Sequence, residues 1–152
     1  MSTDNTWVSL PTAKQVMDQV ALAEAKKASD EMRGMQKAEA ERKELIERLT
    51  KPSGVSDDEA LKRVTLIVQR AARSGLTEVN VFQFPNVLCT DHGRAINNGL
   101  ESGWQDTLIG LPKEMYEFWK RQLEPRGYKI NFRVVDYSGG IPGDIGITLK
   151  WN

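Results

Sequence analysis

A segment of about 39 residues, 12–50, contains no proline and consists mainly of the strong helix formers Ala, Glu, Lys, Arg, Gln and Met. Thr12 and Gln15 have the spacing of a capping box at a helix start, and Lys51-Pro52-Ser53-Gly54 ends the pattern. A helix of this length extends on the order of 58 Å. The chain is therefore predicted to contain an extended N-terminal helix in residues 1–51, a linker at 52–55 and a compact domain at 56–152.

The heptad positions of this helix make a poor coiled-coil seam. Three of the ten positions are charged and three are alanine: Met17, Ala21, Glu24, Ala28, Glu31, Met35, Ala38, Arg42, Leu45 and Leu49. The larger apolar residues gather near the two ends, and the middle is nearly all polar or alanine. Three interpretations stay open: a solvent-exposed or loosely docked helix, a helix that dimerises or binds a partner, and partial disorder.

Charge and composition exclude several classes of protein. The 21 basic and 21 acidic residues cancel, whereas proteins that bind duplex nucleic acid usually carry a basic excess. One cysteine cannot form an intramolecular disulfide, and no run of about 18 apolar residues is present to cross a bilayer. The opening residues lack a signal-peptide pattern. We expect a cytoplasmic protein with no membrane span, for which nucleic acid is a disfavoured partner.

The remainder of the chain predicts an α+β domain. A second capping box, Ser56 with Glu59, starts a core helix that ends at Gly75. The predicted elements are a helix at 56–75, a strand at 76–84, helices at 90–98 and 112–124, and strands at 128–134 and 145–151. The order is α-β-α-α-β-β behind the long helix, with the last two strands paired as a hairpin. We expect helices packed on one face of a small, mainly antiparallel sheet.

The only cysteine and the only histidine, Cys89 and His92, lie three residues apart in the predicted helix 90–98 or at its start. A thiol beside an imidazole is the minimum for nucleophilic catalysis, because the imidazole removes the thiol proton. The helical spacing also places both residues on the apolar face, where a buried structural role is common. No orienting third group and no set of metal ligands is apparent, so we predict no metal and no cofactor.

Three polar features are candidates for binding. The opposite face of the predicted helix carries side chains suited to a carboxylate, phosphate or peptide group, although they could equally pair internally or end the helix: Asp91, Arg94, Asn97 and Asn98. A glycine-rich loop could admit a ligand or simply connect the hairpin: Gly139, Gly140, Gly143 and Asp144. Basic residues on the outward hairpin face could contact phosphates or could be solvated: Arg126, Lys129, Arg133 and Lys150.

The tryptophans are assigned separately. Trp104, Trp119 and Trp151 are expected in the core, and Trp7 could anchor the N-terminus to a partner.

These patterns support three hypotheses about function. The favoured one is a non-enzymatic interaction or assembly protein whose helix, residues 12–50, associates with itself or docks on another protein. The second is a small thiol-dependent enzyme built on Cys89 and His92. The third is a module that binds a ligand or single-stranded nucleic acid through Arg94 or the basic strand face. Folds of this class host unrelated functions, so the first hypothesis rests on shape rather than chemistry.

Overall fold

The computed structural model describes residues 9–152, which fall into two units divided between Lys43 and Glu44. Trp7 lies outside the described residues. Most of helix α1, Ala13–Thr50, belongs to the first unit, and its last turns, from Glu44 onward, belong to the second. Its capping box is present: the backbone N–H of Gln15 donates to Thr12 Oγ1 at 3.2 Å, and Gln15 Oε1 accepts from the backbone N–H of Thr12 at 2.9 Å.

The second unit, Glu44–Asn152, contains the remaining helices and strands. They are α2 (Asp57–Arg73), β1 (Glu78–Phe84), α3 (Arg94–Asn97), α4 (Gly110–Phe118), β2 (Lys129–Val134), β3 (Tyr137–Ser138), β4 (Ile141–Pro142) and β5 (Ile145–Lys150). Short 3₁₀ turns occur at Asn86–Leu88, Trp104–Thr107 and Glu124–Arg126, and α4 continues into a π turn at Trp119–Leu123. The α+β class, with its long N-terminal helix and small antiparallel sheet, is confirmed.

The sheet places the C-terminal strand in the centre. Its order is β1-β5-β2, and both pairs are antiparallel. The predicted hairpin of the last two long strands is therefore present, with Val134 opposite Ile145. The two-residue strands β3 and β4 form a separate small ribbon within the hairpin connection.

The register gives the sheet one apolar and one polar face. The apolar face carries three rows across β1, β5 and β2: Val79, Leu149 and Ile130; Phe82, Ile147 and Phe132; Phe84, Ile145 and Val134. A bulge between Asn80 and Phe82 adds Val81 to β1. Without the bulge, strict alternation from Val79 through Val81 would point Phe82 and Phe84 away from the core.

The core lies on the apolar face. Phe84, Phe132, Ile145 and Ile147 are buried there, and Leu88, Cys89, Ile96 and Leu108 pack with them. Trp104 is half-buried against this cluster, with its ring 4.9 Å from that of Phe132. Trp119 and Trp151 are also half-buried, and the Trp119 indole N–H donates to the Tyr128 carbonyl at 3.0 Å.

Two predicted elements differ from the structure. The helix predicted at 90–98 is confined to α3, because residues 90–93 form turns in which His92 and Gly93 have φ of 57° and 84°. The predicted core helix α2 is less deeply packed than expected. On its apolar face Ala71 is buried, Ala60, Leu61, Val64 and Val68 are half-buried, and Ile67 is 37% exposed.

Candidate functional site

The segment around Cys89 connects the end of β1 to α3. Cys89 follows the 3₁₀ turn Asn86–Leu88 and forms an isolated antiparallel bridge with Leu108. Its side chain is 1% exposed, whereas His92 lies in an exposed turn. The expectation that both share the apolar face of a helix is wrong, because the chain is not helical between them.

The environment of the Cys89 sulfur suppresses the thiolate. Burial raises the pKa of this thiol to about 11, and a hydrogen bond with Thr107 offsets only part of that effect. At pH 7 this thiol is therefore protonated. Since the thiolate is the nucleophile, this position suits a core residue and disfavours a nucleophilic thiol.

Asp91 organises the backbone that follows. Its Oδ1 accepts from the Gly93 N–H at 3.0 Å, and its Oδ2 accepts from the Ala95 N–H at 2.9 Å. Both carboxylate oxygens thus satisfy backbone groups at the start of α3, which is why the helix begins later than predicted. Asp91 acts here as a cap for α3.

The other polar residues of this segment separate in space. The Asn98 amide donates to Glu101 at 2.9 Å. Asn97 Oδ1 accepts from the Tyr137 hydroxyl at 2.7 Å, and Arg94 is exposed. Asn97 and Arg133, which the sequence assigns to different groups, line one pocket of about 370 Å³ beside β2. The packing of α3 beside this edge strand could not be predicted from local spacing.

The glycine-rich loop closes on itself. Gly139 and Gly140, with φ of 56° and 81°, are the two turn residues between β3 and β4, a conformation that favours glycine. Asp136 accepts from the backbone N–H groups of Gly143, through its carbonyl at 2.9 Å, and of Asp144, through Oδ1. These amides are therefore engaged within the loop and are not presented to an anion.

The basic residues belong to the polar face of the sheet, where they are interspersed with other groups. This face has three rows across β1, β5 and β2: Glu78, Lys150 and Lys129; Asn80, Thr148 and Asn131; Gln83, Gly146 and Arg133. Lys129 Nζ donates to the Asn152 carbonyl at 3.0 Å, and Arg126 donates to Gln122. The aromatic residues of these three strands all lie on the opposite face, so their polar face offers no stacking platform for single-stranded nucleic acid.

A cleft of about 490 Å³ between α2, α4 and the sheet was not predicted. We call it the α2 cleft. Val64 and Ile67 of α2, Met115 and Phe118 of α4, and Ile130 of β2 line it. The apolar spacing of α2 is the signal that could have drawn attention to this region, but spacing cannot show the distance between a helix and a sheet.

An ion pair fixes the N-terminal end of α2 over this cleft. Asp57 accepts from Arg121 Nη2 at 3.0 Å and Nε at 3.3 Å, and from Gln122 Nε2 at 3.0 Å. The hydrogen bond from Arg121 is the main reason that the pKa of Asp57 lies below its usual value. Across the cleft mouth, the Ser53 hydroxyl donates to Glu114 at 2.7 Å.

Helix α1 presents a second apolar surface. With about 100° between successive residues, six positions between Met17 and Met35 fall within a sector of about 80°, and all are Met or Ala. We call them the α1 stripe: Met17, Ala21, Ala25, Ala28, Met32 and Met35. Every one of the six is exposed.

Comparisons with family models, curated proteins and solved structures find no match to this chain. Within residues 9–152, no helix is long and apolar enough to span a membrane. The same residues contain no group of three or more His, Cys, Asp or Glu side chains arranged to hold a metal ion.

Proposed function

We propose that this chain is a non-enzymatic interaction or assembly protein that self-associates through α1. The observation that supports the proposal is the α1 stripe: between Met17 and Met35, its sector contains only Met and Ala, and all six are exposed. Alanines allow two helix backbones to approach closely, and flexible Met side chains adapt to a facing helix. A second copy would bury this surface.

The charge distribution of α1 is compatible with a second copy as the partner. Between Ala13 and Thr50 there are eight acidic and eight basic residues, distributed along the whole helix. Two such helices have no net charge and do not repel each other overall. Acidic residues of one helix can lie opposite basic residues of the other. We also propose a cytoplasmic location, supported by the free, buried thiol of Cys89, since reducing compartments maintain thiols.

Light scattering on the full chain, across a concentration series, tests the proposal. We expect a dimer whose Kd rises at least tenfold in Ala28→Glu, because the substitution inserts a carboxylate at the middle of the stripe. Ala23→Glu is the matched control: Ala23 is also exposed on α1, on the opposite face. It should change the Kd less than about threefold.

Two results would contradict this function. A full chain that stays monomeric at 100 µM and above, a concentration well beyond typical specific dimer constants on the order of 1 µM, would reject self-association and redirect the search to a different partner protein. Equal weakening by Ala28→Glu and Ala23→Glu would show that the α1 stripe is not the contact surface.

A further inference from the structure

We propose that the α2 cleft is a binding site for a small, uncharged and mainly apolar molecule. This site belongs to the second unit and does not depend on self-association through α1. Its volume of about 490 Å³ falls within the range of roughly 300–1,000 Å³ that small-molecule sites occupy. The cleft is open to solvent, so a ligand can enter it, and most of its lining surface is apolar.

Three sides of the cleft supply apolar contacts. Val64 and Ile67 of α2 form one side, Met115 and Phe118 of α4 form a second, and the apolar sheet face forms the floor. The accessible floor is formed by Val81, Phe82 and Ile130, which are half-buried. A ligand that enters therefore leaves water for contact with aliphatic, aromatic and thioether groups. This transfer favours a ligand with hydrocarbon groups.

The charged groups at the mouth favour an uncharged ligand because they already have partners in the chain. Asp57 binds Arg121 and Gln122, Arg63 binds Glu59 at 2.8 Å, and Glu114 accepts from Ser53. Glu117 interacts electrostatically with Arg121. A charged ligand would have to break one of these contacts or lose its water without a replacement partner.

The hydrogen bonds at the cleft mouth favour a small molecule over a helix from another protein. Asp57 of α2 accepts from Arg121 and Gln122, and Ser53 donates to Glu114 of α4. A helix with a diameter of about 10 Å would have to separate these groups to enter, whereas a small molecule leaves them in place.

Straight-chain alcohols are suitable probes for the full-length protein. Titration with 1-hexanol, 1-heptanol and 1-octanol, followed by amide chemical shifts, should show saturable binding localised to residues that line the cleft. Each added CH₂ should tighten Kd about fourfold, the equivalent of about 0.8 kcal/mol. Octanoate, which has the same chain length and a negative charge, should bind at least tenfold more weakly than 1-octanol.

A matched pair of variants on α2 locates the site. Ala60 lines the cleft and Ala72 is exposed on the same helix without lining it. Ala60→Phe should fill the cleft and weaken 1-octanol binding at least tenfold, while Ala72→Phe should leave it unchanged. If Ala60→Phe fails to fold, Val64→Trp serves the same purpose, because Val64 also lines the cleft and Trp would fill it.

Each alternative outcome overturns the proposal. Absence of saturable binding up to the solubility of 1-octanol would reject a small apolar ligand. Equal affinity for octanoate would reject the preference for an uncharged one. Binding that persists in a folded Ala60→Phe or Val64→Trp protein would place the alcohol elsewhere. Changes in the amide chemical shifts of cleft residues that only an apolar peptide produces would assign the surface to a protein partner.

Discussion

At the scale of single residues, the reactive and polar side chains between Cys89 and Asn97 make contacts within the fold. Cys89 is buried in the core, and both carboxylate oxygens of Asp91 bind backbone amides. Asn97 accepts a hydrogen bond from Tyr137. The second hypothesis, a thiol-dependent enzyme, requires a reactive Cys89 beside His92, and burial of the sulfur, which raises the pKa of this thiol, disfavours that arrangement.

The raised pKa of Cys89 predicts a dependence of stability on pH. The folded thiol has a pKa of about 11 against an ordinary value of 9.0, so between these pH values the unfolded chain binds fewer protons than the folded one. The contribution of Cys89 to the unfolding free energy is therefore complete below about pH 9 and is lost as the pH rises through about 11. Urea unfolding at several alkaline pH values measures this loss.

Cys89→Ala provides the control for other groups that titrate in the same range. Its unfolding free energy should fall less steeply with pH than that of the natural chain. Iodoacetamide should also react at least about 100-fold more slowly with folded Cys89 than with the unfolded thiol, because the pKa is about two units higher and the sulfur is buried. Equal rates in both states would contradict the buried, protonated thiol.

At the scale of elements, close backbone contact joins the end of α1 to the start of α4. Gly110 has φ of 63°, and a Cβ built on it would lie 2.2 Å from the Leu49 carbonyl oxygen. Leu49 itself packs against the core. Glycine is thus required at this position for both conformation and space, and it lets the last turn of α1 become part of the second unit.

Gly110→Ala should accordingly destabilise the protein by about 2–5 kcal/mol, through left-handed backbone strain combined with a backbone clash. Gly127→Ala is a matched control, since Gly127 also has positive φ, 93°, with open space around its Cβ position. That control should cost only about 1–2 kcal/mol. Denaturant unfolding measures both, and equal effects would show that the Leu49 contact is not restrictive.

At the scale of the whole molecule, the second unit contains its own core. Its buried cluster is formed by residues between Phe84 and Ile147, and Leu49 is the α1 residue packed against it. Ser53 adds hydrogen bonds to Glu114. Stability should therefore depend on the last turns of α1 and on the residues that follow them.

Two shortened chains test this organisation. A chain of residues 44–152 should unfold cooperatively. Its free energy of unfolding should equal that of the full chain when both are measured at concentrations too low for association. A chain of residues 55–152 should be less stable by about 2–3 kcal/mol, because it loses the packing of Leu49 and the hydrogen bonds of Ser53. Equal stability of the two shortened chains would refute the contribution of the last α1 turns.

Local sequence patterns were sufficient for most elements. Thr12 and Gln15 identified the start of α1, because capping depends on residues close in the chain. Alternating apolar residues identified β2 and β5 and their pairing, because side chains of a strand alternate between two faces. The α+β class followed from the order of these elements.

Two kinds of feature were not predicted. Asp91 replaced the first turn of a predicted helix through hydrogen bonds to Gly93 and Ala95, a local cap that the prediction missed. Long-range packing accounts for the rest, beginning with the bulge at Val81, which changed which residues of β1 face the core. The central position of β5 and the gap beneath α2 depend on contacts between residues more than 60 positions apart, such as Asp57 with Arg121. Capping and alternation are local energies that a sequence displays directly, whereas the width of a cleft results from how all the elements fill space together.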